Sequence, residues 1–365
     1  PASETVEVRG MATTDRQPWW AWSFPLLGWL CLLLLPHEIT WAPLFGIALI
    51  GCVFAAVHHA EILAHRVGEP FGSLLLAVAV TVIEVGLIVS LMLADPEGKA
   101  ALARDTVFAA LMIVCNGVVG LCLLLGGARH HEQTFRVAGA SAMLSVIAPL
   151  AVLVLVLPEQ LASVPGPYFT PLQLAFVSVA SLALYGALLF VQTVRHREYF
   201  LPEDDEHGEA PPPPARQLAI AGVILPLALV AVVLLAKSLS PALEAGVAAM
   251  GAPGSVVGIV IALLVLLPES LAAVRAARRN RLQTSLNLAL GSVGASIGLT
   301  IPVVAIVSFS MGQRLTLGIS PAHVVLLWLT LVVAVLTLGT GRTTVLQGVV
   351  HLVLFAVFLF TALAP

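Results

Sequence analysis

Charge is scarce in this chain of 365 residues: Asp, Glu, Lys and Arg together make up 10% of it. Lysine is nearly absent, with only Lys99 and Lys237. A soluble globular domain carries about 25% charged residues on its solvated surface, so this composition excludes that class. The formal net charge is −3 and no basic block is long, which removes nucleic acid from the partners to consider. Cysteine is sparse as well. Cys31, Cys52, Cys115 and Cys122 fall singly inside apolar runs without metal-type spacing, so they read as packing residues and not as a disulfide framework or a zinc site.

What remains is apolar: 59% of the residues are hydrophobic. A bilayer core about 30 Å thick takes about 20 helical residues. On that ruler the chain contains eleven spans, at 19–36, 42–64, 71–94, 105–126, 136–157, 170–194, 217–239, 246–274, 283–310, 321–339 and 343–364. Pro268 and Pro302 predict kinks or breaks in the eighth and ninth. Residues 1–18 form a polar tail that opens with Pro1, as a processed end would, and shows no secretory signal. The first span (19–36), flanked by Trp19, Trp20 and Trp22, lacks a small-residue cleavage site and reads as retained.

One stretch breaks the apolar pattern. Residues 196–216 hold LPEDDEHGEAPPPP, with five acids from Glu203 to Glu209 and four prolines after them, and read as a solvated linker. It separates a first set of five spans (42–195) from a second (217–365), with the span at 19–36 as an extra N-terminal helix. Repeats with an odd number of spans enter the membrane in opposite orientations, so the expectation is a pair of inverted five-helix repeats. Thirteen Lys and Arg fall on the side of the N-terminal tail and the linker, against four (Lys99, Arg104, Lys237 and Arg314) on the other. That bias assigns the tail and linker to the cytoplasm and the C-terminus to the extracytoplasmic side.

Each repeat contains one acid deep in an apolar run: Glu84 in FGSLLLAVAVTVIEVGLIVSLMLA and Glu269 in GIVIALLVLLPESLAAV. A mid-span carboxylate costs about 2.5–3.5 kcal/mol on insertion scales and marks a functional position. No basic residue falls in the middle of these spans to neutralise them. On a helix, Ser73 lies about 20° from Glu84 and Thr81 about 60°, which gives the third span one narrow polar face. Ser255, Gly258 and Ala262 play the same part below Glu269. Pro268 also deprives the Leu264 carbonyl of its helical donor, and a free carbonyl beside a carboxylate suits a hard cation. In the ninth span Ser285, Ser292 and Ser296 share a face within about 40°. Asn287, Gly291, Gly294 and Gly298 occupy the other side, and the corresponding fourth span offers Asn116. His58, His59 and Glu61, with His65, cluster at the cytoplasmic end of the second span, where imidazoles can relay protons or sense pH. They can equally form a polar helix end. His323 and His351 have no assignment.

The strings GEPFGS, TVIEVGLIVSLM, MIVCNGVVGLCLLLGG, LPESLAA and NLALGSVGASIGLTIPVV, with the HHEQ loop, resemble the cation/proton exchangers of the calcium/cation antiporter superfamily, in their bacterial ChaA-type branch. The resemblance runs from about Trp22 to the C-terminus. It implies exchange of Ca2+, and in this branch Na+ or K+, for protons by alternating access. Glu84 and Glu269 then take the place of the two repeat acids that bind cation and proton in turn, with Asn116 and Ser292 beside them. Where the wider family has Asn three residues before each acid, this chain has Thr81 and Leu266, a departure that removes two amide oxygens suited to Ca2+ and leaves room for a monovalent cation.

The expectation is therefore an all-α polytopic membrane protein that acts as an antiporter and not as an enzyme. It needs no cofactor, its partners are the transported cations, protons and the lipid bilayer, and homo-oligomerisation stays open. A channel using the same acids as a selectivity ring is the rival. An intramembrane acid/base enzyme finds no nucleophile or metal motif in the sequence.

Overall fold

The computed structural model describes residues 18–36, 38–67, 71–95, 98–162, 165–201 and 213–364. The acids Glu203 to Glu209, Arg9, Arg16 and the side chain of Ser73 lie outside the described residues. Eleven helices follow one another along the chain: α1 (Trp20–Leu34), α2 (Ala42–Val67), α3 (Phe71–Ala94), α4 (Leu102–His130), α5 (Val137–Gln160), α6 (Pro171–Arg195), α7 (Ala215–Ala249), α8 (Ser255–Arg278), α9 (Leu282–Met311), α10 (Pro321–Leu338) and α11 (Val345–Leu363). Ten are long and apolar enough to cross a bilayer, so the protein is an all-α polytopic membrane protein. The exception is α1, whose 15 residues reach about 22 Å at 1.5 Å per residue.

Helix ends follow local chemistry. Thr170 and Thr344 open α6 and α11 with the same capping box, in which Gln173 Oε1 and Gln347 Oε1 each accept from the threonine N–H at 2.9 Å. Ser320 caps α10 ahead of Pro321 in the first turn. Gly312, at φ 65°, takes the left-handed conformation that ends α9. A π-helical turn, Ile113–Val118, interrupts α4 around Asn116.

Two boundaries differ from expectation. α7 runs 35 residues to Ala249, through Pro241, so Lys237 stands on an exposed helix face and not in a loop. About 20 residues suffice to cross the hydrocarbon, so α7 overshoots it and its polar end continues as helix in the aqueous margin. Correspondingly, α8 begins at Ser255 and not near 246. Neither Pro268 nor Pro302 breaks its helix; α8 and α9 run unbroken through both.

The loops sort onto two faces. On one, β1 (Gln133–Thr134) pairs antiparallel with β2 (Arg342–Thr343), and His130 Nε2 meets the Arg278 carbonyl at 3.1 Å. On the other, Thr316 N–H donates to Ala100 O, Leu317 N–H to Pro167 O and Ile319 N–H to Leu155 O. Between the faces lie two apolar clusters. One is built by α1, α2 and α7, the other by α4, α5, α9, α10 and α11. α3 and α8 belong to both: Ile83, Leu87 and Val265 face the first cluster, Ile88, Met92 and Leu266 the second. The two acid-bearing helices are thus the seam of the molecule. All four cysteines are buried and unpaired within these clusters or beside them.

Candidate functional site

Glu84 is the fourteenth of 24 residues in α3, and Glu269 the fifteenth of 24 in α8. Both acids therefore fall in the middle third of their helices. Glu84 is 4% exposed and Glu269 9%, which removes both carboxylates from water. Among the described residues neither forms an ion pair. The charge of Glu84 reaches Glu269, so the two acids share one electrostatic environment. Two carboxylates buried in one low-dielectric environment ionise together only at high cost, which a bound cation would offset.

α9 supplies what holds them. Ser296 Oγ donates to Glu84 Oε1 at 2.5 Å, and Ser292 Oγ donates to Glu269 Oε2. Four residues separate the serines, so they point from one face on successive turns, and a single helix grips an acid from each half of the chain. Thr300, one further turn along, is also buried on this side near Glu84. Behind the serines Gly298 admits Tyr185 of α6: a Cβ at Gly298 would stand 2.6 Å from Tyr185 Cβ. Tyr185 is buried and lies within reach of the Glu269 charge. Gly258 does the same for α8 and α4, since a Cβ there would stand 2.9 Å from Asp105 Cβ and 3.2 Å from the Thr106 nitrogen.

The other residues singled out from sequence go elsewhere. Thr81 is buried three residues before Glu84, but its hydroxyl donates to its own helix at Ala77 O, 2.9 Å away. The Leu264 side chain packs against the first apolar cluster, and α8 stays helical past Pro268, so the carbonyl that Pro268 leaves without a donor remains in the helix wall. Asn116 turns toward α10 and α11. Its Nδ2 donates to Thr330 Oγ1 at 2.8 Å, its Oδ1 faces His351 Nδ1 at 3.3 Å, and His351 Nε2 meets Thr337 Oγ1 at 3.1 Å. Sequence reading did not anticipate this fully buried network, because the partners of Asn116 come from helices more than 200 residues away.

The histidine cluster fastens α1. His59 Nε2 contacts Ala21 O at 2.9 Å, and the His58 ring packs 5.1 Å from Trp20. Glu61 lies within electrostatic reach of Arg275 of α8. None of the three is a hydrogen-bond partner of Glu84 or Glu269. Among the described residues no three His, Cys, Asp or Glu side chains gather at one point. The donor set at the seam is therefore two carboxylates and the hydroxyls of α9. On the face away from β1 and β2, a cavity of about 410 Å³ opens between the ends of α7, α8 and α4, lined by Lys99, Asp105, Glu244 and Ser255. Lys99 Nζ and Glu244 Oε1 pair across it at 2.7 Å.

Comparison with known proteins agrees with this architecture. A family profile described as sodium/calcium exchanger protein matches residues 37–194 and 220–364, one match on each side of the linker. A Sinorhizobium fredii protein named putative ionic transporter y4hA is 53% identical over 95% of this chain and 97% of its own. The sodium-potassium/proton antiporter ChaA of Escherichia coli is 38% identical over 93% of this chain and 95% of its own. Among solved structures, that of the H+/Ca2+ exchanger CAX superposes with a TM-score of 0.72 at 17% identity, covering 93% of this chain and 86% of that one.

Proposed function

Because the chain belongs to the sodium/calcium exchanger protein family, a family of transporters, we propose that it exports Ca2+, with Na+ or K+ as further cargoes, in exchange for protons by alternating access. The observation that carries the reading is the pair Glu84 and Glu269, buried at mid-membrane without a basic partner and gripped by Ser296 and Ser292 of one helix. In the proton-loaded state the two acids need no counter-charge. Cation arriving from the cytoplasm displaces the protons, the two halves rock, and protons from the far side displace the cation. Cation binding then has to release protons, and that competition is the coupling. The positive-inside bias supports the N-terminus and linker as cytoplasmic and the C-terminus as periplasmic, in a bacterial inner membrane. The matching capping boxes of α6 and α11, opened from opposite faces, support two inverted five-helix repeats.

A second reading, a monovalent Na+(K+)/H+ antiporter without Ca2+ preference, draws on a specific observation. Ca2+ takes six to eight oxygen ligands. The hydrogen-bond partners of the two acids are serines, Leu266 stands where an amide would help, and the Asn116 amide is engaged by Thr330 and His351. The 38% identical relative is named for sodium and potassium.

Reconstitution into proteoliposomes with an imposed pH gradient, comparing Ca2+, Na+ and K+, separates the two. Glu84→Gln and Glu269→Gln should each abolish exchange in a correctly inserted protein, and the apparent cation affinity of the wild type should rise with pH and then saturate. Wild-type flux in either variant, or cation flux indifferent to the pH gradient as a channel would give, refutes the proposal.

A further inference from the structure

α9 touches both acids, and the base of α9 is itself held by an unusual set of bonds. Where the first half of the chain ends, a short 3₁₀ turn, Arg197–Tyr199, presents three successive carbonyls. Arg136 Nη1 donates to Glu198 O at 2.7 Å, Gln283 Nε2 to Tyr199 O at 3.5 Å, and Asn287 Nδ2 to Phe200 O at 2.5 Å. The captors are themselves linked. Gln283 Nε2 also donates to Asn287 Oδ1 at 2.9 Å, and Gln283 Oε1 accepts the Arg136 backbone N–H at 2.7 Å. Phe200 and Gln283 are buried. The approach depends on Gly139 of α5, since a Cβ there would stand 2.4 Å from Tyr199 O.

Asn287 lies five residues before Ser292, about 7.5 Å along the axis. A hydroxyl–carboxylate bond survives only a few tenths of an ångström of displacement before it weakens. An unbroken helix passes any rotation or slip at its base on to both serines. We propose that Gln283 and Asn287 are positioning residues: they register α9 against the chain leaving the first half, and through that register set where Ser292 and Ser296 stand relative to Glu269 and Glu84. The inference rests on the exchange reading above.

The test compares Asn287→Ala with Gly139→Ala in proteoliposomes, using whichever of Ca2+, Na+ and K+ gives the larger wild-type signal, and measures cation KM, maximal rate and the detergent melting midpoint of each. Gly139→Ala presses on the Tyr199 carbonyl, 2.4 Å from the added Cβ, and on Gln283 Nε2 at 3.2 Å, so it disturbs the same latch without removing any α9 side chain and carries the test alone if Asn287→Ala does not insert. The expected result is a rise in KM of about 2- to 30-fold in each variant, the range for residues that act on a site without touching its ligand. The double variant should be no worse than the stronger single one, because both undo one latch. Lowered melting midpoints with KM unchanged in both would overturn the proposal and leave the latch as scaffolding. Wild-type vesicles that exchange no cation for protons would instead refute the exchanger reading, before any variant is compared.

Discussion

Replacing Ser296 with alanine takes away the donor that reaches Glu84 Oε1 at 2.5 Å, and replacing Ser292 does the same to Glu269. Each change deletes one oxygen inside a 30-residue helix in which alanine is the better helix former, so folding should not suffer. A hydrogen bond to a charged group contributes about 1.5–3 kcal/mol. The acids carry charge while they face a cation and lose it when they take protons, so the missing bond weakens mainly the cation-loaded state. The energy corresponds to a rise in apparent cation KM of about 10- to 150-fold. Ser308, on the same helix, donates to Gln313 O near the helix end, at 2.6 Å, and serves as the control: Ser308→Ala should leave KM alone. Initial rates of cation-dependent proton movement in proteoliposomes, over a range of cation concentrations, give the numbers. KM values within twofold of wild type for both Ser292→Ala and Ser296→Ala would refute the idea that α9 grips the acids during binding.

Gly298→Ala should lower the melting midpoint in detergent by the equivalent of about 1–3 kcal/mol, because its Cβ would meet Tyr185 Cβ at 2.6 Å. Gly291→Ala, two turns earlier and with nothing within 4 Å, should be neutral or stabilise by up to about 1 kcal/mol; equal effects at the two positions would contradict the packing described. His351→Ala leaves the Asn116 amide oxygen and the Thr337 hydroxyl unpaired in a dry interior and should cost about 1–3 kcal/mol of stability for each group, checked by thermal unfolding. Deleting residues 203–209 should change apparent cation affinity modestly in a correctly inserted protein, and complete loss of flux would show that the linker does more than connect or regulate.

The helices and the two acids were legible in the sequence because their signals are local. A run of about 20 apolar residues can only cross or fill a membrane, and a lone carboxylate within it is conspicuous by its cost. Spacing alone put Ser285, Ser292 and Ser296 on one face of α9, and only the family resemblance singled out Ser292; that Ser296 meets Glu84, 212 residues away, needed the fold. Asn116 shows where such reasoning stops. Its burial was foreseeable, yet its partners Thr330 and His351 are decided by which helix packs on which, and no periodicity in α4 encodes that. The extension of α7 past Pro241 escaped for a different reason: composition marks where lipid ends, and a helix can outlast the lipid.

The two capping boxes bear on how such a chain diversifies. Thr170 and Gln173 start a helix on one face of the membrane, Thr344 and Gln347 on the other, with the same four-residue grammar and the same 2.9 Å bond. A cap of this kind closes on itself and does not depend on which compartment lies outside, so it can be kept through an inversion. Arginine and lysine cannot, because their placement is what tells the insertion machinery which way a segment faces. The two halves of such a protein are free to conserve their punctuation while their loop charges are driven apart. On the proposed inverted-repeat reading, a comparison of the halves by loop composition would therefore understate their kinship, and one by helix starts and mid-span acids is the one to make.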